Sequence, residues 1–192
     1  MIKKTAAILA GGKSSRMNYK NKAFLRYENS CFIEKIIKEL RDYDEVIIVS
    51  NNPEEYKGLG VKVIKDVYPS QGPLSGIHSA LSHMENEYCL VVACDMPFIN
   101  RDIVDYLGSI REDYEILIPR VNERLQPLCG IYKKSIKEEL EKKLLKKENK
   151  LIAVCYEFKL KIIGNLDGAN KDLEKNFLNI NTEEEYKALI KK

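Results

Sequence analysis

Residues 6–17 read AAILAGGKSSRM, and this stretch decides how the rest of the chain is interpreted. The apolar run from Ala6 to Leu9 predicts a buried strand, which leads within two residues to the glycines Gly11 and Gly12. Glycine lets a backbone approach a phosphate chain closely and tolerates positive φ. Exposed backbone N–H groups in such a loop form an anion-binding nest. The stretch therefore predicts a strand followed by a loop that binds phosphate groups.

Two better-known phosphate-binding motifs do not fit this loop. Residues 12–14 resemble the end of a Walker A motif, but that motif needs a glycine where this chain has Ala7. The dinucleotide motif G-x-G-x-x-G fails as well, because no glycine follows the pair until Gly58. A glycine pair alone is also typical of a tight turn between a strand and a helix. Arg16 and Lys22 favour the phosphate-binding interpretation, since they supply the charge that a nucleoside triphosphate requires.

The spacing of these residues resembles a known signature. Nucleotidyltransferases carry L-A-G-G-x-x-x-R-M with a lysine six residues after the arginine, and Arg16 and Lys22 have that spacing. Within that superfamily the chain is most similar to the molybdenum cofactor guanylyltransferases. It departs from them at Asn18, where the family usually has glycine. Asparagine enters the left-handed region more readily than most residues, so we expect the turn to be kept. The resemblance is strong through Phe98 and thin beyond it.

The apolar pattern alternates between strands and helices along the whole chain. Strand-like runs occur at residues 4–9, 45–50, 61–65, 88–94, 115–118, 128–132 and 159–163. Several runs are continuously apolar, as expected for a sheet that is buried on both faces. We predict an α/β fold of the Rossmann-like nucleotidyltransferase type. It has a single doubly wound, mostly parallel sheet with helices on both faces, in one domain over residues 1–192.

Helix starts are predicted from capping residues. Ser30 and Asn100 are expected to be N-caps, and Ser135 with Glu138 fits the capping-box pattern. The same pattern predicts a last helix that begins after Thr182.

Polar residues follow several of the strand-like runs, at the edge where ligands bind in such sheets. Asp95 follows residues 88–94 within Cys-Asp-Met-Pro, which resembles the C-D-x-P element of the family and implies a Mg²⁺ ligand that also contacts GTP. Asp66 follows the run at residues 61–65, and the resemblance implies that it contacts GTP, as the corresponding aspartate of the family does. Ser50 ends the run at residues 45–50 and is expected to line the pocket for the base or the ribose. Without the resemblance these residues would be typical of turns and helix caps.

The resemblance also implies residue roles in the site. The catalytic residues would be Arg16, Lys22 and Asp95, and the GTP-binding residues would be Leu9, Ala10, Gly11, Gly12, Lys22, Ser50, Asp66 and Asp95. The pterin acceptor would be held by Gly76, Gln126, Asn179 and Asn181. The two asparagines belong to Asn-Ile-Asn-Thr, which resembles a late N-x-N-T element, although Glu183 follows where the family usually has proline. As an alternative, they terminate a strand and cap the last helix.

Composition narrows the class of protein. The chain has 192 residues and a net charge of +3, which argues against a nucleic-acid partner bound through bulk charge. Its five cysteines show no C-x-x-C spacing, and no apolar run approaches membrane-spanning length. His78 and His83 are five residues apart and do not share a helix face, which disfavours a zinc site. We expect a cytoplasmic protein that has no membrane segment.

The function implied by the resemblance is the transfer of GMP from GTP to the terminal phosphate of molybdopterin, with Mg²⁺ as cofactor. Molybdoenzymes or other cofactor-biosynthesis proteins would then be protein partners. Two alternatives stay open: a cytidylyltransferase or other nucleotidyltransferase acting on a phosphorylated small molecule, and a catalytically inactive nucleotide-binding module.

Overall fold

The predicted first strand lies in the interior of a mixed sheet in the computed structural model, which describes residues 4–11, 21–110, 112–164 and 173–191. The strands are β1 (Thr5–Leu9), β2 (Arg26–Tyr27), β3 (Ser30–Cys31), β4 (Glu45–Val49), β5 (Lys62–Ile64), β6 (Tyr88–Ala93), β7 (Ile116–Val121), β8 (Arg124–Leu125), β9 (Cys129–Lys133) and β10 (Leu160–Ile163). The α-helices are α1 (Phe32–Glu39), α2 (Pro73–His83), α3 (Arg101–Ser109), α4 (Lys137–Leu145), α5 (Leu151–Cys155), α6 (Leu173–Asn176) and α7 (Glu183–Ile190). Short 3-10 helices span Lys22–Phe24, Pro53–Tyr56 and Lys134–Ile136.

The main sheet has the order β10-β7-β9-β6-β1-β4-β5, with β8 paired to β7. Strand β9 runs antiparallel to both β6 and β7, whereas the other pairs along this order are parallel. The reversal begins at a tight hairpin between β7 and β8, where Asn122 and Glu123 both have positive φ, as a type I′ turn requires. Strands β2 and β3 form a separate two-stranded hairpin. The prediction of a doubly wound, mostly parallel sheet is confirmed.

Helices cover both faces of the sheet because successive side chains of a strand point to opposite sides. Ala6 and Ile8 of β1 belong to the apolar cluster that contains residues of α1 and α3. Ala7 and Leu9 belong to the second cluster, which contains residues of α2, α4 and α5. Every residue of β1 is buried, which explains its continuous apolar sequence.

The predicted caps have mixed outcomes. Asn100 accepts a hydrogen bond from the Ile103 N–H at 3.1 Å, and Thr182 with Glu185 forms the expected capping box. The Ser30 prediction is wrong, because Ser30 pairs within β3 and Cys31 is the N-cap of α1.

The Ser135 prediction is also wrong. A 3-10 turn occupies residues 134–136 and leads directly into α4, whose N-cap is Ile136. Among the described residues, no helix has the length and apolar character needed to cross a membrane.

Candidate active site

The site forms where parallel strands end side by side. Strands β5, β4, β1 and β6 are neighbours, and all four run in the same direction. The backbone hydrogen bonds continue one residue past the strands: the Ala10 N–H donates to the Val49 carbonyl at 2.9 Å, and the Cys94 N–H donates to the Leu9 carbonyl at 3.1 Å. The loops that follow these strands therefore leave the sheet next to one another.

A cavity of about 540 Å³ opens at this edge. Its volume lies within the roughly 300–1,000 Å³ that is usual for small-molecule sites. Eight of the residues predicted from sequence line it together: Leu9, Ala10, Gly11, Lys22, Ser50, Asp66, Gly76 and Asp95. The chain thus brings residues that are up to 86 positions apart into one concave site.

Lys22 is positioned by the 3-10 turn that it starts. Asn21 caps this turn, since its Oδ1 accepts a hydrogen bond from the Ala23 N–H at 3.1 Å. The Asn21 Nδ2 donates to Glu55 Oε2 at 2.6 Å and to the Tyr56 hydroxyl at 2.8 Å. These contacts tie the segment that carries Lys22 to the loop after β4.

The Lys22 ammonium group contacts two oxygen atoms from distant parts of the chain. Its Nζ lies 3.2 Å from Asp95 Oδ2 and donates to Asn181 Oδ1 at 2.7 Å. The side chains of Lys22 and Asp95 are only 17% and 18% exposed. The Ile180 N–H donates to the Asp95 carbonyl at 2.9 Å, which brings the segment before α7 to this point. A carboxylate and an amide oxygen thus converge on one cation.

Asp66 is held at the start of α2. Its Oδ1 accepts hydrogen bonds from the Ser75 hydroxyl, from the Ser79 hydroxyl at 3.0 Å and from the Tyr68 N–H at 3.2 Å. Gly72 is the N-cap of α2 and has a φ of 77°, in the left-handed region that glycine adopts without strain. The first turn of this helix lines the cavity, and its dipole favours an anionic ligand there.

Gly76 allows α2 to pack closely against β1. A Cβ atom at this position would lie 3.2 Å from Leu9 Cδ2 and 3.3 Å from Leu9 Cδ1, which is tighter than ordinary van der Waals contact. The missing side chain therefore allows the close approach of α2 to β1 at a point where both residues line the cavity.

Two further groups at the site are held in their neutral forms. Burial raises the pKa of the Tyr56 phenol to about 12, and its hydroxyl donates to the Ala10 carbonyl at 3.3 Å. Burial, with the adjacent Asp95 charge as a second cause, raises the pKa of the Cys94 thiol to about 12. Near neutral pH Cys94 is therefore a thiol and a poor nucleophile.

The remaining predicted residues have different outcomes. Gly12 and Arg16 lie outside the described residues. Asn181 reaches the site through Lys22, whereas Gln126 lies in the turn before β9, with its N–H donating to the Pro119 carbonyl at 2.9 Å. Asn179 is half-buried two residues before Asn181. The acceptor roles of Gly76, Gln126, Asn179 and Asn181 stay predictions.

Sequence reasoning missed Asn21, Glu55 and Ser70, which also line the cavity. Asn21 could have been found from its place directly before Lys22, since asparagine is a frequent capping residue. Glu55 and Ser70 carry no such signal, because each is a common surface residue in a loop-rich stretch.

Within the described parts of the chain, no group of three or more His, Cys, Asp or Glu side chains could hold a metal ion. A divalent cation at Asp95 would need additional ligands from substrate phosphates, water or neutral oxygens. Such a sparse protein contribution is usual for Mg²⁺.

A family model and curated relatives both match this chain over most of its length. Residues 6–158 match the model of the MobA-like NTP transferase domain. A relative from Clostridium perfringens, named as a probable molybdenum cofactor guanylyltransferase, is 67% identical over 100% of this chain and 98% of its own length. A relative of the same name from Carboxydothermus hydrogenoformans is 39% identical over 97% of this chain and 95% of its own.

Solved structures share the fold. Molybdopterin-guanine dinucleotide biosynthesis protein A from Archaeoglobus fulgidus superposes with a TM-score of 0.82 at 25% identity, over 97% of both chains. The inositol-1-phosphate CTP transferase from T. maritima superposes with a TM-score of 0.70 at 12% identity, over 98% of this chain and 96% of that one. The second likeness concerns the fold alone.

Proposed function

The chain belongs to the family of MobA-like NTP transferases, and from this premise we propose that it transfers GMP from GTP to the terminal phosphate of molybdopterin, releasing pyrophosphate. The high identity to relatives named molybdenum cofactor guanylyltransferases supports guanine as the base and molybdopterin as the acceptor.

The observation that carries this proposal is the meeting of Lys22 and Asp95 in the cavity that the loop after β1 also lines. An ammonium group and a carboxylate beside a glycine-containing loop supply the positive charge and the hard oxygen that a metal–triphosphate complex needs. The N-terminal turn of α2, which also lines the cavity, adds a favourable dipole.

The chemistry requires positioning more than proton transfer. A phosphate monoester has a second pKa near 6, so the attacking oxygen is already ionised at neutral pH and needs no general base. Lys22 would neutralise charge that builds up on the phosphate chain as pyrophosphate leaves, and Arg16 would act with it. The protonated Cys94 thiol would take no covalent part.

The residues around Lys22 fit a magnesium ion. Asp95 Oδ2 and Asn181 Oδ1 are hard oxygen atoms, and both already contact a cation. These two residues would hold Mg²⁺ together with phosphate oxygens and water. When bound, the ion would neutralise phosphate charge and orient the α-phosphate for in-line attack.

We further propose that Leu9, Ala10, Gly11, Gly12, Ser50 and Asp66 bind GTP, while Gly76, Gln126, Asn179 and Asn181 bind the acceptor. On this proposal the product passes to molybdoenzymes or to other proteins of cofactor biosynthesis in the cytoplasm. A single domain over residues 1–192 is part of the same proposal.

The test is to incubate the purified chain with Mg²⁺, molybdopterin and either GTP or CTP, and to measure pyrophosphate and the dinucleotide product. We expect both products with GTP. Turnover with CTP alone would replace guanylyl by cytidylyl transfer. Thermal stabilisation by a nucleotide without pyrophosphate release would instead indicate a binding module.

A further inference from the structure

We propose that the Lys22 ammonium group and the divalent cation are alternative occupants of one position, so that the metal enters only as Lys22 leaves. This inference rests on the proposed magnesium site at Asp95. It adds an exchange step in which Lys22 holds the empty site and is then released toward the phosphate chain.

The geometry that supports exchange is the pair of oxygens around Lys22 Nζ. Asp95 Oδ2 lies at 3.2 Å and Asn181 Oδ1 at 2.7 Å from that one nitrogen. Lysine donates hydrogen bonds and accepts none, so the asparagine must present its oxygen and not its nitrogen. Two hard oxygens that face one point are also a suitable protein contribution to a magnesium site, whose other ligands are phosphate oxygens and water.

Both occupants cannot bind these oxygens at once. A divalent ion bound to Asp95 Oδ2 and Asn181 Oδ1 would occupy the place where the ammonium group now lies. If the ammonium group stayed beside the ion, the two positive charges would repel each other strongly. Lys22 has a flexible four-carbon stem, so its charge can move while its backbone stays in the capped 3-10 turn. The cavity beside it is where that charge would go.

The exchange has a functional consequence. In the absence of nucleotide, Lys22 keeps Asp95 and Asn181 paired, so the bare metal binds weakly. When a metal–nucleotide complex binds, Lys22 loses its contacts with the Asp95 and Asn181 oxygens and gains contacts with phosphate oxygens of the nucleotide. Metal and nucleotide are thus expected to bind more tightly together than separately.

The test measures Mn²⁺ binding to the nucleotide-free chain by the loss of the free-ion EPR signal. Removing Lys22 as Lys22→Met removes the competing ion pair and hydrogen bond, so we expect Mn²⁺ affinity to rise about tenfold. Lys62→Met is the matched control, because Lys62 also forms an ion pair with a carboxylate: its Nζ lies 2.9 Å from Glu45 Oε1. This pair does not involve Asp95 or Asn181. The control variant loses the same charge, and its Mn²⁺ affinity should stay within twofold of the parent chain.

A double-mutant cycle separates exchange from simple charge repulsion. Shared occupancy makes the gain from Lys22→Met depend on Asn181, so in an Asn181→Ala background we expect that gain to fall by half or more. A gain that is unchanged in that background overturns the inference, and so does a Lys22→Met affinity no higher than the parent's. Lys22→Gln replaces Lys22→Met if the latter does not fold.

These readouts need neither GTP nor molybdopterin. If the chain transfers GMP but Lys22→Met does not bind Mn²⁺ more tightly, the exchange fails and the proposed function stands. If no nucleotide is transferred although the EPR pattern holds, the proposed function fails alone.

Discussion

At the scale of single residues, Lys22 and Asp95 carry the proposed chemistry, and their partly buried contact explains why each should be sensitive to substitution. We expect Lys22→Ala and Asp95→Ala each to lower turnover by about 10²–10³-fold, because each removes charge stabilisation that water does not replace in a partly enclosed site. Steady-state pyrophosphate release with GTP measures this effect.

Lys62→Ala serves as the control for these variants, since Lys62 lies outside the cavity lining. It should retain the parent rate. Near-parental rates in both Lys22→Ala and Asp95→Ala would contradict the proposed catalytic roles.

Gly130 tests close packing inside the sheet. A Cβ atom at this position would lie 2.7 Å from the Leu117 carbonyl oxygen of the neighbouring strand, so the backbone would have to shift. We expect Gly130→Ala to lower the free energy of unfolding by about 1–3 kcal/mol, measured by urea denaturation. Gly164→Ala is the control, because a Cβ there meets nothing within 4 Å, and it should change stability by less than about 0.5 kcal/mol.

At the scale of elements, strands were predicted more reliably than helix starts. All seven predicted strand runs became strands. The clearest of them, such as residues 88–93, are continuously apolar because the sheet buries both of their faces. The two-residue strands β2, β3 and β8 are too short to show a period. Ser30 was misassigned because its hairpin partner Tyr27 holds it in β3, so that the cap falls one residue later.

The N-terminal cap of helix α7 also holds the backbone of Asn181 in place. The Glu185 carboxylate accepts from the Asn181 N–H at 2.6 Å and from the Thr182 N–H at 3.0 Å, so one side chain fixes both the helix start and the Asn181 backbone. We expect Glu185→Ala to cost about 1 kcal/mol locally and to increase amide hydrogen exchange in α7 about fivefold.

Glu185→Gln should restore most of that protection, because an amide oxygen still accepts the two bonds. Glu184→Ala removes a neighbouring carboxylate that is outside the cap and should leave exchange in α7 unchanged. Equal exchange in Glu185→Ala and Glu184→Ala would show that the cap is not what holds this helix.

At the scale of the whole molecule, stability should depend on the protonation of His78, a buried residue of α2. Its ring lies 5.3 Å from that of Tyr68, and its Nδ1 has no hydrogen-bond partner among the described residues. Burial lowers the pKa of the imidazole below its usual 6.5; Glu141 and Asp66 favour the charged form, whereas Lys137 and His83 oppose it.

The sign of the pH effect follows from that shift. The unfolded chain binds a proton at His78 near pH 6.5, whereas the folded chain binds it only at lower pH, so stability is lost as pH falls below about 6.5. The loss is at most about 1.4 kcal/mol per pH unit. We expect the melting temperature to fall between pH 7.5 and 5.5, and to fall less in His78→Gln. His83→Gln should behave like the parent, and equal slopes in all three would contradict the assignment.

The local sequence by itself determined the strand runs, because apolar segments follow rules that act over a few positions. The choice of Lys22, Asp66 and Asp95 as candidate site residues came from their resemblance to the family motifs. Only the tertiary structure decided that β9 runs antiparallel between β6 and β7. It also decided that Asn181, 159 positions from Lys22, contacts the same ammonium group as Asp95. Contacts between residues so far apart in sequence depend on which strands lie next to each other in the sheet. No short segment of the chain encodes that arrangement.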